Sequence, residues 1–442
     1  MSTHTQSKQF SRRDFFKVAG GLAALAAGAG AISSAKGLLK PIEVASAQSS
    51  APDLVFAGTD GWISLPGSPA IPPYFPDNLA PAPFNTYVFG FRNVTGMTTT
   101  QIGNQKMKAQ HSAPLFWVDQ YEKTNREFRV QLTNLGLQMR PDLTDAHTIH
   151  WHGFRDAIPY FDGEPHGSVA VPMGKEFTYV YRPHDAGTYM FHCHVEDVEH
   201  VQMGMTGLLF VRPAQDGNTA LYPSGKYAYN DGDGSTGFDR EFAMMLTEVW
   251  AESHWADSHI QLPEWSDYRA DFALLNGRVY PDTLAPNGSI DPFNPVHDAN
   301  GDLIPTPGYE HLQYQPMSSL VQCNAGERVL LRFANLGFLG ATMTLDGIRL
   351  RVVGEDATPR RGRDGTDTSF LTNSVMLYPG NSADVIFTAP AYRGPGPYDT
   401  YLLYNRDYRV SNNLATGGFG GQMTEVRVYP AGTLAAQTLP NT

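Results

Sequence analysis

The fold predicted is all-β, built as two β-sandwiches, and three observations predict it. Short runs of period-two alternation recur along the chain, and Gly, Pro and Asp turns separate them. With 43 Gly and 32 Pro among 442 residues, and only 17% charged residues, turns are frequent and charge is sparse. That length is more than one core of this kind fills and suits two domains.

The first 47 residues read as a leader outside that fold. "SRRDFFK" (Ser11 to Lys17) sets two arginines ahead of the small, apolar run "VAGGLAALAAGAGAISS", and "VASAQ" offers a small-x-small cleavage site after Ala47. This is similar to a twin-arginine export signal, which delivers a folded protein to the periplasm or the cell exterior. A retained anchor stays open. The formal charge of the whole chain is −12, and loss of residues 1–47, with six Lys/Arg and two Asp/Glu, leaves about −16. A surplus of acid excludes a nucleic-acid partner, because phosphate binding needs a surplus of Lys and Arg.

From residue 48 the strands follow in order. "REFRVQLTNLG" alternates, and "AHTIHWHGF", "EFTYVYRP", "GTYMFHCH" and "GMTGLLFVRP" carry a first sandwich to residue 215. Residues 216–237, in the Gly- and Asp-rich "AQDGNTALYPSGKYAYNDGDGSTG", read as a linker. A second sandwich over 238–442 follows from "REFAMMLTEVW", "ERVLLRFANLG", "SVMLYPGNSADVIFTAP", "DTYLLYNRDYRV" and "MTEVRVYP", with residues 251–318 as a Pro- and Asp-rich excursion. No helix of consequence is expected in either half.

The chemistry concentrates in two stretches. "HTIHWH" places His147, His150 and His152, and "GTYMFHCHVEDVEHVQMGMTG" (Gly187 to Gly207) places His192, Cys193, His194, His200, Met203 and Met205. On an extended strand, residues two apart share a face and residues an odd number apart do not. His150 and His152 therefore aim one way and His147 the other, while Cys193 opposes His192 and His194. One side of the sheet gathers four imidazoles, and the other gathers His147 and Cys193, which His200 and Met205 fit. A thiolate, two imidazoles and a weak axial thioether make a trigonal blue-copper site, so copper is the cofactor expected. Met205 is preferred as the axial ligand, with Met203 as the alternative. Two cysteines in an exported protein ordinarily pair. Here Cys193, between two histidines, is read as a ligand and Cys323 as a buried free thiol, with a bridge between them as the alternative.

"HTIHWHGF" and the Gly187–Gly207 stretch together resemble the copper-binding segments of the multicopper oxidases, a cupredoxin-fold family that includes laccases and is related to the copper nitrite reductases. "FDGEPHGSVAVPMGKEFTYVYRPHDAGTY", "LDGIRLRVVGEDATP" and "LYPGNSADVIFTAP" share that look. The resemblance implies two cupredoxin-like Greek-key domains, with a type 1 copper on His147, Cys193, His200 and Met205. It also implies a catalytic type 2/type 3 cluster on His150, His152, His192 and His194. Electrons from a small-molecule or protein donor would pass through Cys193 to dioxygen.

Three departures qualify the resemblance. Six residues separate Cys193 from His200, more than the family's usual spacing, and Glu196, Asp197 and Glu199 there read as a solvated turn or a docking patch for a cationic donor. The type 1 set lies in the first half, whereas three-domain enzymes keep it in the last. Family clusters take histidines from two facing domains, yet after His200 only His254, His259, His297 and His311 remain. A homo-oligomer in which first domains face each other is therefore expected. A nitrite-reductase-like enzyme, in which an acid would normally stand at His150, and a blue-copper electron carrier without catalysis remain as alternatives. His254 and His259 read as surface loop residues, and His111, His166 and His184 as structural. Trp151 is placed beside the site, Asp162 in a turn or as an acid behind the ligands, and Glu355 and Asp356 in a loop.

Overall fold

The computed structural model describes residues 51–414 and 418–442; the leader expected at residues 1–47 lies outside them. The first half contains β1 (Leu54–Ile63), β2 (Thr86–Asn93), β3 (Phe116–Asp119), β4 (Phe128–Asn134), β5 (His150–His152), β6 (Glu176–Tyr181), β7 (Gly187–His192) and β8 (Thr206–Arg212). They form two four-stranded sheets, ordered β2-β1-β4-β6 and β3-β8-β7-β5. The fold is all-β and cupredoxin-like.

Alternation decides where each strand sits. In β4, Phe128, Val130 and Leu132 are buried while the residues between them are half-buried, as period two requires of a strand covered on one face. β7 is buried at every position because both of its faces are covered. Tyr189 and Phe191 enter the first core beside Phe116 and Trp151, and Met190 packs with Leu208 and Phe210 against Ala243, Met245, Ala334 and Leu336 of the second half. Phe116 and Phe191 lie 5.3 Å apart and Trp151 and Tyr181 4.2 Å apart, so the core behind β5 and β7 is largely aromatic.

The second half contains β9 (Arg240–Val249), β10 (Phe272–Leu275), β11 (Val321–Asn324), β12 (Arg328–Asn335), β13 (Ala341–Leu345), β14 (Leu350–Glu355), β15 (Thr358–Pro359), β16 (Phe370–Thr372), β17 (Ser374–Leu377), β18 (Ser382–Thr388), β19 (Asp399–Asn405) and β20 (Met423–Tyr429). One sheet runs β10-β9-β12-β18-β14-β15, with β16 on β14, and the other β11-β20-β19-β13-β17. Within residues 216–237, Tyr227, Ala228 and Tyr229 are buried, and the Tyr229 hydroxyl donates to Asp384 at 2.6 Å.

Short helices depart from the all-strand expectation: α1 (Thr99–Gly103), α2 (Tyr121–Thr124), α3 (Asp197–Met203) and α4 (Ala251–Ser258). α3 is less than two turns long, too short to print a 3.6-residue period on the sequence. Asp197 and Glu199 stand in its first turn, and Gly204, at φ 114°, closes it in the left-handed region. α4 is buried along most of its length and docks on β2, where His254 Nδ1 donates to the Tyr87 carbonyl at 2.5 Å.

Apolar contact joins the halves, and a buried ionic network fixes how they meet. Arg332 is fully buried, bonded to Glu241 at 3.1 Å and Asp384 at 3.4 Å. It also donates to Thr188 Oγ1 at 3.2 Å and lies over the Phe210 ring at 4.3 Å, both in the first half. Removing one partner from such a network strands the rest in a low-dielectric site, at about 3–5 kcal/mol. Arg332→Leu should therefore lower stability by about that amount, read as a fall in urea midpoint; a change below about 1 kcal/mol would show that the network is neutral.

Candidate metal centre

β5 and β7 pair antiparallel with His150 opposite His192 and His152 opposite Met190. Along β7 and one residue past its end, Tyr189, Phe191 and Cys193 point into the first core. His192 follows Thr188 and Met190 on the face turned toward the second half. Trp151 is buried between His150 and His152 in the same core. The two expected sets thus sit back to back at one strand end.

Four imidazoles meet on the outer face. His150 lies 5.0 Å from His194 and 5.3 Å from His192, with 5.4 Å between His192 and His194 and 5.9 Å between His152 and His192. His150 Nδ1–H donates to the Asp162 carbonyl at 2.7 Å and His192 Nδ1–H to the Cys193 carbonyl at 2.8 Å. A carbonyl only accepts, so each ring keeps its Nε2 lone pair for a metal. Burial pushes His192 down to about 3 and holds His150 and His152 below the ordinary imidazole range. Neutral rings are the form that ligates.

The opposite face holds His147, Cys193 and His200, all fully buried. His147 precedes the β5 ladder and is held by paired backbone bonds to Val171. His200 Nδ1 lies 3.2 Å and His147 Nδ1 4.0 Å from Cys193 Sγ, while the Thr148 N–H donates to the sulfur at 3.4 Å. Ligand bonds of about 2.0–2.3 Å separate donor atoms by distances of this order, so the donor set fits a soft metal in size and chemistry. Burial alone would raise the Cys193 thiol, but His200 and His147 hold it well below its ordinary value. Burial alone would lower His200; the Cys193 thiolate and Asp145 reverse that and hold it at about 10.

Two methionines were in contention for the axial position, and their surroundings differ. Met203 Sδ accepts from Ser253 Oγ of α4 at 4.0 Å. Met205 lies beside His147: a Cβ on Gly58 would stand 2.7 Å from the His147 ring and 3.5 Å from Met205 Cε, so only glycine fits between the strand and these two groups. The Cys193 N–H also donates to the Met205 carbonyl at 3.1 Å.

The loop from Cys193 to His200 is not a solvated acidic turn throughout. α3 fills it and docks on the second half: Glu199 faces Arg140 at 3.7 Å, Arg140 is ion-paired with buried Asp257 of α4, and Gln202 donates to the Glu248 carbonyl at 3.1 Å. Glu196 and Asp197 alone of the three acids are exposed. His254 corrects another expectation, since it is buried rather than on a surface loop, held by Tyr87 and Gln202. His259 stacks on Trp255 at 4.2 Å and faces Asn78. His297 and His311 are engaged by Asp298 and Asp282. His111 is buried against Gly204, and exposed His166 and half-exposed His184 pair with Glu164 and Glu122. Both cysteines are free thiols.

Among the described residues, two groups have three donor atoms within 4.8 Å of one another: His147, Cys193 and His200, and Asp145, Glu196 and His200. The four outer imidazoles do not form such a triple. Beside His152 and Thr188 lies a cleft of 230 Å³ that the second half lines with Asp356, Asn381 and Ser382. Asp356, read from sequence as a loop residue, is fixed there by the Ser382 N–H at 2.9 Å.

Residues 125–216 match the family model described as multicopper oxidase. Over that segment the chain is similar to the multicopper oxidases. It is 31% identical over 141 residues to Laccase-1 of Emericella nidulans, covering 30% of this chain and 22% of that protein. It is 24% identical over 274 residues to Laccase-5 of Arabidopsis thaliana, covering 61% and 38%. The alignments thus span well under half the length of these curated relatives. Among solved structures, the Blue Copper Oxidase from Nitrosomonas europaea shares the fold at a TM-score of 0.55 and 21% identity, covering 85% of each chain.

The inner set, His147, Cys193 and His200, generates two predictions. In the metal-free protein the folded pair is a thiolate and an imidazolium, which together bind one proton. Below about pH 6.5 the unfolded chain binds an extra proton on His200, and above about 8.5 it has lost the thiol proton that the folded pair retains on His200. The pair's contribution should be level between those values and fall on both sides, by at most about 1.4 kcal/mol per pH unit. Urea unfolding of metal-free wild type and Cys193→Ser across pH checks this, because the variant should lack the plateau. On the copper-loaded protein, Met205→Leu should shift the blue absorption and the reduction potential, while Met203→Leu should leave both in place.

Proposed function

We propose that the protein is a copper-dependent oxidoreductase of the multicopper oxidase type. His147, Cys193, His200 and Met205 would hold a copper ion able to take single electrons from a reductant, and the outer histidines would hold copper suited to dioxygen reduction. The observation that carries this reading is the end of β7, where Cys193 belongs to the inner set while the residues bonded to it, His192 and His194, belong to the outer one. The hydrogen bond from His192 Nδ1 to the Cys193 carbonyl, 2.8 Å, adds a second connection between the sets. Four imidazoles gathered on one face have no use in a bare electron carrier.

The outer set is offered as splayed imidazoles, and the second half meets it with Asp356, Asn381 and Ser382 rather than histidines. A second copy presenting its own histidine face supplies the missing ligands in this reading, which makes the active form a homo-oligomer. The donor is a small molecule or a protein. The leader supports export by the twin-arginine route to the periplasm or beyond. A nitrite-reductase-like mononuclear centre is the second reading, favoured by one observation: Asp356 and His152 share a cleft, which brings in the acid absent from position 150.

The test is copper content, visible and EPR spectra and dioxygen uptake on copper-loaded protein. More than one copper per chain, a blue band, a type 2 signal and a coupled pair are expected. His192→Ala or His194→Ala should abolish dioxygen uptake and leave the blue band largely intact. Uptake that survives either change rules out the cluster, and a single blue copper per chain points to electron transfer alone.

A further inference from the structure

The two imidazoles of the inner set are held in unlike ways. His200 Nε2 lies 3.1 Å from the Asp145 carboxylate, whereas His147 Nε2 is buried with no hydrogen-bond partner. A carboxylate only accepts, so Nε2 of His200 carries the proton and Nδ1, 3.2 Å from Cys193 Sγ, is left to face a metal.

Asp145 is not a mobile surface acid. Its carbonyl accepts from Asn134 Nδ2 at 2.8 Å, and the same nitrogen donates to the Val171 carbonyl at 2.9 Å. Val171 is the residue that pairs with His147 through the backbone. One buried side chain at the end of β4 therefore sets both the strand edge that carries His147 and the acid behind His200. The Asp145 side chain is 9% exposed and that of His200 is not exposed at all, so the carboxylate also stands between the ring and solvent.

We propose that Asp145 is the positioning residue of the inner site: it fixes the tautomer and rotation of His200 and places a negative charge behind it that lowers the potential of the bound copper. The inference rests on the copper reading and goes beyond it by assigning a residue outside the ligand set. A fixed anion behind one ligand stabilises the oxidised, more positive metal over the reduced one, and its shielded position keeps that field from being screened.

The test compares Asp145→Asn, Asp145→Ala, Asp145→Glu and Glu196→Gln, each copper-loaded, by blue band, copper affinity and reduction potential. Asp145→Asn keeps an acceptor and loses the charge; it should stay blue with a raised potential. Asp145→Ala loses the acceptor as well and should bind copper about ten- to hundredfold more weakly. Asp145→Glu should restore both properties at least in part. Glu196→Gln removes a neighbouring charge that does not touch Nε2, and it should move the potential less than Asp145→Asn does. An unchanged potential in Asp145→Asn, or an equal shift in Glu196→Gln, overturns the role given to the hydrogen bond. A wild type without a blue band overturns the copper reading itself.

Discussion

Side-chain alternation at the end of β7 is the constraint around which the molecule is arranged. Successive residues of a strand point to opposite faces, so His192 and Cys193 are kept apart by the backbone while remaining one bond path from each other. Cys193 continues the row of Tyr189 and Phe191 into the aromatic core, and His192 continues the row of Thr188 and Met190 away from it. The register of β5 against β7 doubles the effect by setting His150 opposite His192. A slip of one residue would exchange the faces and bring the thiol among the outer imidazoles.

The second half contributes no histidine to either set, yet it builds the wall behind the inner one. α3 could not hold His200 in place alone, since so short a helix is unstable in isolation. Its outer residues, Glu199, Gln202 and Met203, instead rest on Arg140, Glu248 and Ser253, and α4 carries the last of these contacts together with Asp257. The enlarged spacing between Cys193 and His200 thus has a structural use, because the added residues reach the second half. The same half also closes one side of the outer set through Asp356 and the turn at Gly380, where a Cβ would stand 3.1 Å from the His152 ring.

Charge is handled differently at each level. Between the halves, Arg332, Glu241 and Asp384 are buried and mutually paired, which costs desolvation but fixes orientation. In the inner set the charge is a thiolate and an imidazolium without a metal, a pair that holds the donors close before any ion arrives. In the outer set burial favours the neutral form of His150, His152 and His192, so these three are ready to ligate without first losing a proton.

Much of this was legible in residues 146–154 and 187–207. The fold class follows from alternation and turn residues, and the division of ligands between faces follows from spacing alone, because strand periodicity is local. The choice between Met203 and Met205 was open, since both lie within five residues of His200 and only tertiary contacts, Met203 with Ser253 and Met205 beside His147, separate them. His254 was misplaced because the helix that buries it, eight residues of mixed character, prints no clear period. Asp145 passed unnoticed and Asp356 was read only as a loop residue for a different reason: a lone carboxylate two residues from a candidate ligand, or in a turn of the other half, carries no pattern. The sequence by itself determined the all-β class, the donor side chains available and the face each takes, since these depend on neighbours along one strand. Only the tertiary structure decided what backs His200, what holds α3 and what faces His152. Those contacts join residues 46 to more than 200 positions apart, and no local period encodes them.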